Sequence, residues 1–163
     1  MTIKQKYKII KKKPIVVAVS GYFNPLHVGH LEMIEKAKKL GDKLVVIVNN
    51  DKQVALKGRV SFMSEKDRVK IISALKHVDK VVLAIDDYKI PSGEVPVIKT
   101  LAKLKPDIFA NGGDRKSLMN VPEYDVCQKY HIKMVDGLGK KIRASSTLIA
   151  EAAAKNKKLK HTK

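Results

Sequence analysis

Short apolar runs alternate with longer stretches in which apolar residues recur at helical spacing. Ile15-Val16-Val17-Ala18-Val19 is continuous and apolar, bounded by Ser20-Gly21, as expected of a strand buried on both faces. Residues 28–40 carry Leu31, Ile34, Ala37 and Leu40 among lysines and glutamates, predicting an amphipathic helix closed by Gly41. Leu44-Val45-Val46-Ile47-Val48 predicts the second strand. Ser64 opens a helix continued by Val69, Ile72 and Leu75, and Val81-Val82-Leu83-Ala84-Ile85 predicts the third strand. Ser92 begins a further helix through Val97, Ile98, Leu101 and Leu104, ended by Pro106. Asp107-Ile108-Phe109-Ala110, a helix at 122–130, a strand at 132–135 and a helix from Ser145 to Ala154 complete the pattern.

Fivefold alternation of strand and helix implies an α/β domain with a parallel sheet covered by helices on both faces. No repeat and no linker divides the chain. Pro14 separates a basic N-terminal arm, residues 1–13, from the domain at 14–150, and residues 151–163 form a basic C-terminal tail. Ligands of such sheets bind beyond the C-terminal strand ends, so segments 20–30, 49–60, 86–92, 111–120 and 136–147 are the places to look for chemistry.

Composition narrows the class. The 163 residues are 44% hydrophobic and 31% charged, which suits a globular protein. No apolar run approaches the ~20 residues of a membrane span, and the Lys-rich start lacks a secretory core, so a cytoplasmic protein is expected. Cys127 stands alone, which excludes an internal disulfide and a cysteine-only metal site. The net charge is +18, of which +6 falls in residues 1–13 and +4 in residues 150–163. The remaining basic body suits a polyanionic ligand, a nucleotide or nucleic acid, while the lysine-rich ends also read as solvated tails.

The segment after the first strand carries the most specific signal: Gly21-Tyr22-Phe23-Asn24-Pro25-Leu26-His27-Val28-Gly29-His30. Gly21 permits a tight exit from the strand, and two histidines flank a glycine where a helix begins. Unpaired N–H groups and the helix dipole favour an anion there, and both imidazoles can donate to it. A zinc pair or two capping histidines are the alternatives, but no further ligands complete a zinc site. The segment resembles the HxGH signature of the nucleotidylyltransferase superfamily that includes the cytidylyltransferases, in the strand-to-helix position that superfamily uses.

Three further segments agree with that resemblance, which runs from about residue 15 to 150. Lys57, in Lys57-Gly58-Arg59, matches a family lysine that reaches substrate phosphates, although it is also one lysine among many. Asn111-Gly112-Gly113-Asp114 matches the family's G-G-D element, where backbone amides approach base or ribose and Asp114 accepts from ribose hydroxyls or supports a metal; alone it would read as a turn. Arg143-Ala144-Ser145-Ser146-Thr147 resembles the second phosphate motif, and Ser145 also reads as a helix cap. Arg68 matches an E-x-x-R element and is expected to brace structure.

The resemblance implies a single Rossmann-like domain that transfers a nucleotidyl group from CTP or ATP to a small phosphorylated acceptor (a sugar, polyol or amino-alcohol phosphate) and releases pyrophosphate. His27, His30, Lys57 and Arg143 are the expected catalytic residues. Gly21, Tyr22, Phe23, Asn24, Gly29, Asn111, Gly112, Gly113, Asp114, Ser145, Ser146 and Thr147 are the expected nucleotide contacts. Mg²⁺ is expected to bridge phosphates, with no dedicated protein metal site. Asn24 stands where many cytidylyltransferases have aspartate, which leaves the base and acceptor open. A nucleic-acid-binding protein on the same scaffold is the alternative raised by the basic ends, although 5% aromatic content and no tryptophan supply a stacking surface poorly. A dinucleotide-dependent oxidoreductase lacks its G-x-G-x-x-G turn. A homodimer is left open, and no membrane partner is expected.

Overall fold

The first two apolar runs become neighbours in the sheet. In the computed structural model, which describes residues 12–113, 118–139 and 144–161, β1 is Val16–Gly21 and β2 is Lys43–Val48. They pair in parallel with Val17 opposite Leu44 and Val19 opposite Val46. β3 (Lys80–Leu83) lies outside β2, and β4 (Ile108–Ala110) and β5 (Lys133–Val135) lie beyond β1, giving the parallel order β3-β2-β1-β4-β5. Asp114, Arg143 and most of the N-terminal arm lie outside the described residues, as do the last two residues of the tail.

The period-2 alternation of strands explains why these runs are apolar throughout. Val17, Val19, Leu44, Val46 and Val48 face one way. They pack with Met33, Ile34 and Ala37 of α1 (Val28–Lys38) and Ile72 of α3 (Glu65–Ser73). Ala18, Ile47 and Phe109 face the other way, against Leu101 of α4 (Ile98–Leu104) and Val126 and Cys127 of α5 (Tyr124–Lys129). The order reverses between β1 and β4, where sequence-adjacent connections leave to opposite sides and open a crevice at the strand ends.

Several elements differ from the sequence expectation. A short helix, α2 (Asp51–Leu56), follows β2; Asn50 caps it by accepting from the Gln53 N–H at 2.8 Å, while Gln53 Oε1 accepts from the Asn50 N–H at 3.1 Å. β3 ends at Leu83. The helix expected from Ser92 starts only at Ile98, because Ile90 and Glu94 close a turn and Asp86 supplies the cap from a distance. Its carboxylate accepts from the backbone N–H groups of Lys99 and Thr100 at 2.7 and 3.0 Å. A 3-10 turn, Leu118–Asn120, precedes α5. The last helix, α6, runs Ser145–His161, so most of the expected tail is helical; Ala152, Ala153 and Ala154 favour that continuation.

One buried cation ties the strand ends together. The Arg68 side chain is fully buried, and its Nη1 donates to the carbonyls of Tyr22 and Asn49, both at 2.7 Å. Nε donates to Met63 O at 3.2 Å, and Nη2 meets Asp51 Oδ1 at 2.7 Å. Arg68 therefore braces, as the sequence suggested, by joining the exits of β1 and β2 to the start of α2. Burial alone would raise the Asp51 pKa, but hydrogen bonds from the Glu65 N–H, Arg68 and Ser61 hold it below the usual carboxylate range. Replacing Arg68 by methionine leaves three carbonyls and a carboxylate without their donor. It should cost at least ~2 kcal/mol in urea unfolding, and Arg68→Lys should recover only part, because an ammonium cannot span four acceptors.

Candidate functional site

A cleft of about 520 Å³ lies at the reversal point. β1 delivers its floor. Gly21 ends the strand, and a Cβ there would come within 2.8 Å of the Phe23 ring, so the glycine lets that ring fold back over the strand end. Phe23 is 1% exposed and takes φ 48°, and it meets the His30 ring edge-on at 4.9 Å. The chain then passes through a cis Asn24-Pro25 bond to His27, the N-cap of α1.

His27 and His30 stack, with ring centroids 3.7 Å apart and planes 20° apart. The His27 backbone N–H donates to His30 Nδ1 at 3.3 Å. That bond assigns the His30 proton to Nε2, which is then available as a donor. Burial, aided by the neighbouring His27, holds the His30 pKa down at about 4 against its ordinary 6.5. The imidazole is thus neutral near pH 7, and it sits with Gly29 at the first turn of α1, where the His30 N–H turns back to His27 O at 2.9 Å and the positive end of the helix dipole remains to favour an anion. The arrangement is a compact set of preorganised donors for an anion.

Asn24 is expected from sequence as a nucleotide contact. It lines the cleft but is 6% exposed, and its amide is committed to the 60–63 segment. Nδ2 donates to Val60 O at 3.0 Å, while Oδ1 accepts from the N–H groups of Phe62 and Met63 at 2.6 and 3.3 Å. An aspartate could accept but not donate, which explains the amide at this position.

Lys57 does not line the cleft; Arg59 does. Lys57 is the exposed C-cap of α2, Gly58 turns the chain at φ 67°, and the Arg59 N–H returns to Val54 O at 3.2 Å. The glycine was the available signal that the residue two further on, rather than the lysine, comes back over the helix. Sequence reasoning also missed Met33, Val54 and Leu138, apolar lining residues without a motif.

From the β4 side come Asn111, Gly112 and Gly113. Asn111 is 8% exposed; its N–H donates to Val135 O at 2.8 Å and its carbonyl accepts from Leu138. Its Nδ2 and the hydroxyl of Tyr22 are buried and have no hydrogen-bond partner among the described residues. Burial raises the Tyr22 pKa to about 12, with Arg59 opposing and Glu123 reinforcing, so Tyr22 keeps its proton. Ser145 and Ser146 line the cleft from α6; Thr147 does not. Ser145 Oγ donates to Pro25 O at 2.9 Å and so ties α6 to the cis-proline loop instead of capping its own helix.

The comparisons with known proteins fall on this frame. The cytidylyltransferase-like family model matches residues 18–152, and the chain belongs to that family. An FAD synthase of Archaeoglobus profundus is 41% identical over 99 residues, 61% of this chain and 58% of that protein. An FAD synthase of Thermococcus sibiricus is 44% identical over 108 residues, 64% and 67% of the two chains. The chain thus spans about three fifths to two thirds of the length of these relatives. The crystal structure of a lipopolysaccharide core biosynthesis protein from Thermoplasma volcanium is similar at a TM-score of 0.59 and 32% identity, over 76% of this chain and 96% of that one. The family and the five-stranded parallel α/β fold agree with the sequence expectation. Among the described residues, no helix is long and apolar enough to cross a membrane.

Two outcomes follow for the free protein. The depressed His30 pKa stabilises the fold fully above pH 6.5, and that contribution falls away as the pH drops towards about 4. The thermal midpoint should therefore decline on acidification through this window, and His30→Asn should flatten the decline. Asn24→Asp should lose ~1–3 kcal/mol in denaturant unfolding by facing the Val60 carbonyl with a carboxylate, whereas Asn24→Ser, which keeps one donor and acceptor, should lose less.

Proposed function

We propose that this chain adenylylates FMN with ATP, forming FAD and pyrophosphate. The observation that carries the reading is the stacked His27–His30 pair at the N-terminus of α1, inside the region that matches the family. The name FAD synthase, borne by the relatives, supports the choice of ATP and FMN. In this reading FMN takes the place of the small sugar, polyol and amino-alcohol phosphates expected from sequence, and ATP is the nucleotide of the two left open there.

In this reaction an oxygen of the FMN phosphate attacks the α-phosphorus of ATP. A new P–O bond forms there while the bond to the oxygen bridging the α and β phosphorus atoms breaks, and its electron pair leaves with pyrophosphate. No protein nucleophile is required. Catalysis comes from alignment and from donors placed where charge grows. His30 donates through Nε2, and His27 and the Gly29 amide complete the cradle for the α and β phosphates. Arg59 supplies the fixed positive charge assigned from sequence to Lys57. Asn111 Nδ2 and the Tyr22 hydroxyl, both buried donors on the cleft wall, suit the base or ribose. Ser146 and the first turn of α6 face the outer phosphates, a role that Arg143 and Thr147 would share by resemblance; Asp114 would take a ribose hydroxyl.

Mg²⁺ fits as a companion of the triphosphate. Among the described residues no three His, Cys, Asp or Glu side chains gather, and Mg²⁺ is commonly held by substrate phosphates and water. When bound, it neutralises phosphate charge. A cleft walled by imidazole and amide donors favours this reading over nucleic-acid binding on the same scaffold.

The test is FAD and pyrophosphate formation from ATP and FMN, with CTP and with sugar and polyol phosphates as competing substrates. FAD formation should dominate; pyrophosphate release only with another acceptor would sink the reading. His30→Ala should lower kcat by ~10²–10³-fold, as for one preorganised oxyanion donor, with a smaller change in the KM for ATP. Arg59→Ala should impair turnover more than Lys57→Ala.

A further inference from the structure

We infer that Phe62, with Val60 beside it, is the platform on which the flavin ring of the acceptor stacks. This rests on the FMN-adenylylating reading above and adds the subsite that selects the acceptor. Val60 is 87% exposed and Phe62 68%, unusually open for large apolar side chains. They flank the cleft without lining it: Arg59, their neighbour in sequence, lines the cleft, and the Phe62 N–H lies 2.6 Å from the cleft-lining Asn24 side chain.

Their exposure is built into a fixed backbone. Asn24 holds Val60 O and the N–H groups of Phe62 and Met63, and Arg68 Nε holds Met63 O. Ser61, between the two apolar residues, turns inward and donates to Asp51 Oδ1 at 3.0 Å. Inward Ser61 alternates with outward Val60 and Phe62. A surface ordered before binding loses little entropy when a flat ligand lands on it.

The charge pattern matches one partner. A guanidinium followed by two exposed apolar side chains suits a ligand with an anionic phosphate at one end and a planar apolar ring at the other. The two substrates must meet at the His27–His30 pair above β1. The β4 side of that pair offers Gly112, Gly113 and the buried amide of Asn111, a wall of backbone and amide donors. The β2 side offers Arg59 and the exposed apolar pair, a surface suited to the larger ring.

Steady-state kinetics of FAD formation with Phe62→Ala and Phe62→Trp tests this, with the wild-type protein as reference. Phe62→Ala should raise the KM for FMN about ten- to hundredfold, the scale of one lost ring–aromatic stack, and leave the KM for ATP within about twofold. Riboflavin, which has the ring but no phosphate, should inhibit competitively with FMN, and its inhibition constant should rise by the same factor. Phe62→Trp should keep FMN binding and quench flavin fluorescence, since an indole in contact with the ring donates an electron to the excited flavin and takes it back on recombination. An unchanged KM for FMN in Phe62→Ala overturns the platform, as does an equal rise for ATP, which would mark a distorted cleft. A switch from dimer to monomer in Phe62→Ala with FMN kinetics unchanged would assign the surface to a second copy instead. If the wild-type protein makes no FAD at all, the functional reading fails first and the platform with it.

Discussion

The buried guanidinium of Arg68 is the constraint on which the site depends. Parallel strands end with carbonyls that no neighbour satisfies, and at the exits of β1 and β2 those groups belong to Tyr22 and Asn49. Leaving them buried and unpaired would cost more than the sheet gains there. Arg68 supplies the donors in one rigid fork, and Asp51 balances its charge. Tyr22, the next residues of the His-bearing loop and the start of α2 are thereby fixed relative to one another. A lysine would offer a point charge where a planar array is needed.

Around that brace the cleft is assembled from loops that hold one another. Asn24 links the β1 loop to residues 60–63, Ser145 links α6 to the cis-proline loop, and Asn111 links β4 to the segment after β5. Polar side chains at the reversal point are therefore divided between two tasks. Some, such as Asn24 and Ser145, bond to backbone and hold loops together. Others, Tyr22 and Asn111, keep a buried donor without a partner among the described residues, and His30 is held neutral with its Nε2–H free to donate. The second group is where a ligand gains most from binding, because each contact relieves a desolvated donor.

This division also reconciles a strongly basic chain with a cleft whose charge is modest. The lysines concentrate at the ends and on exposed helix faces. Inside, Arg59 is the cation that lines the cleft among the described residues, and the donors around it are neutral. Neutral donors discriminate by geometry, whereas surface lysines attract any polyanion. The net charge therefore says more about encounter with nucleotides than about which one reacts.

Local pattern was enough for the layered α/β order, because a strand buried on both faces must be apolar throughout and a covering helix must carry a stripe. The centre of the cleft was legible for a related reason: His27, Gly29 and His30 line it from a strand-to-helix junction that the pattern itself locates. What the pattern could not supply were relations between distant segments. Lys57 and Arg59 differ in local sequence only by a glycine turn, and it is the return of that turn onto Val54 that puts the arginine in the cleft. The late start of α4 depends on Asp86, a carboxylate more than ten residues upstream that caps it through space. Asn24 and Ser145, expected from sequence as ligand contacts, line the cleft and also brace it, through backbone partners 36 and 120 residues away. Periodicity and motif report what a residue faces along its own element. Which donor meets which acceptor across elements is decided only when the sheet brings their ends together.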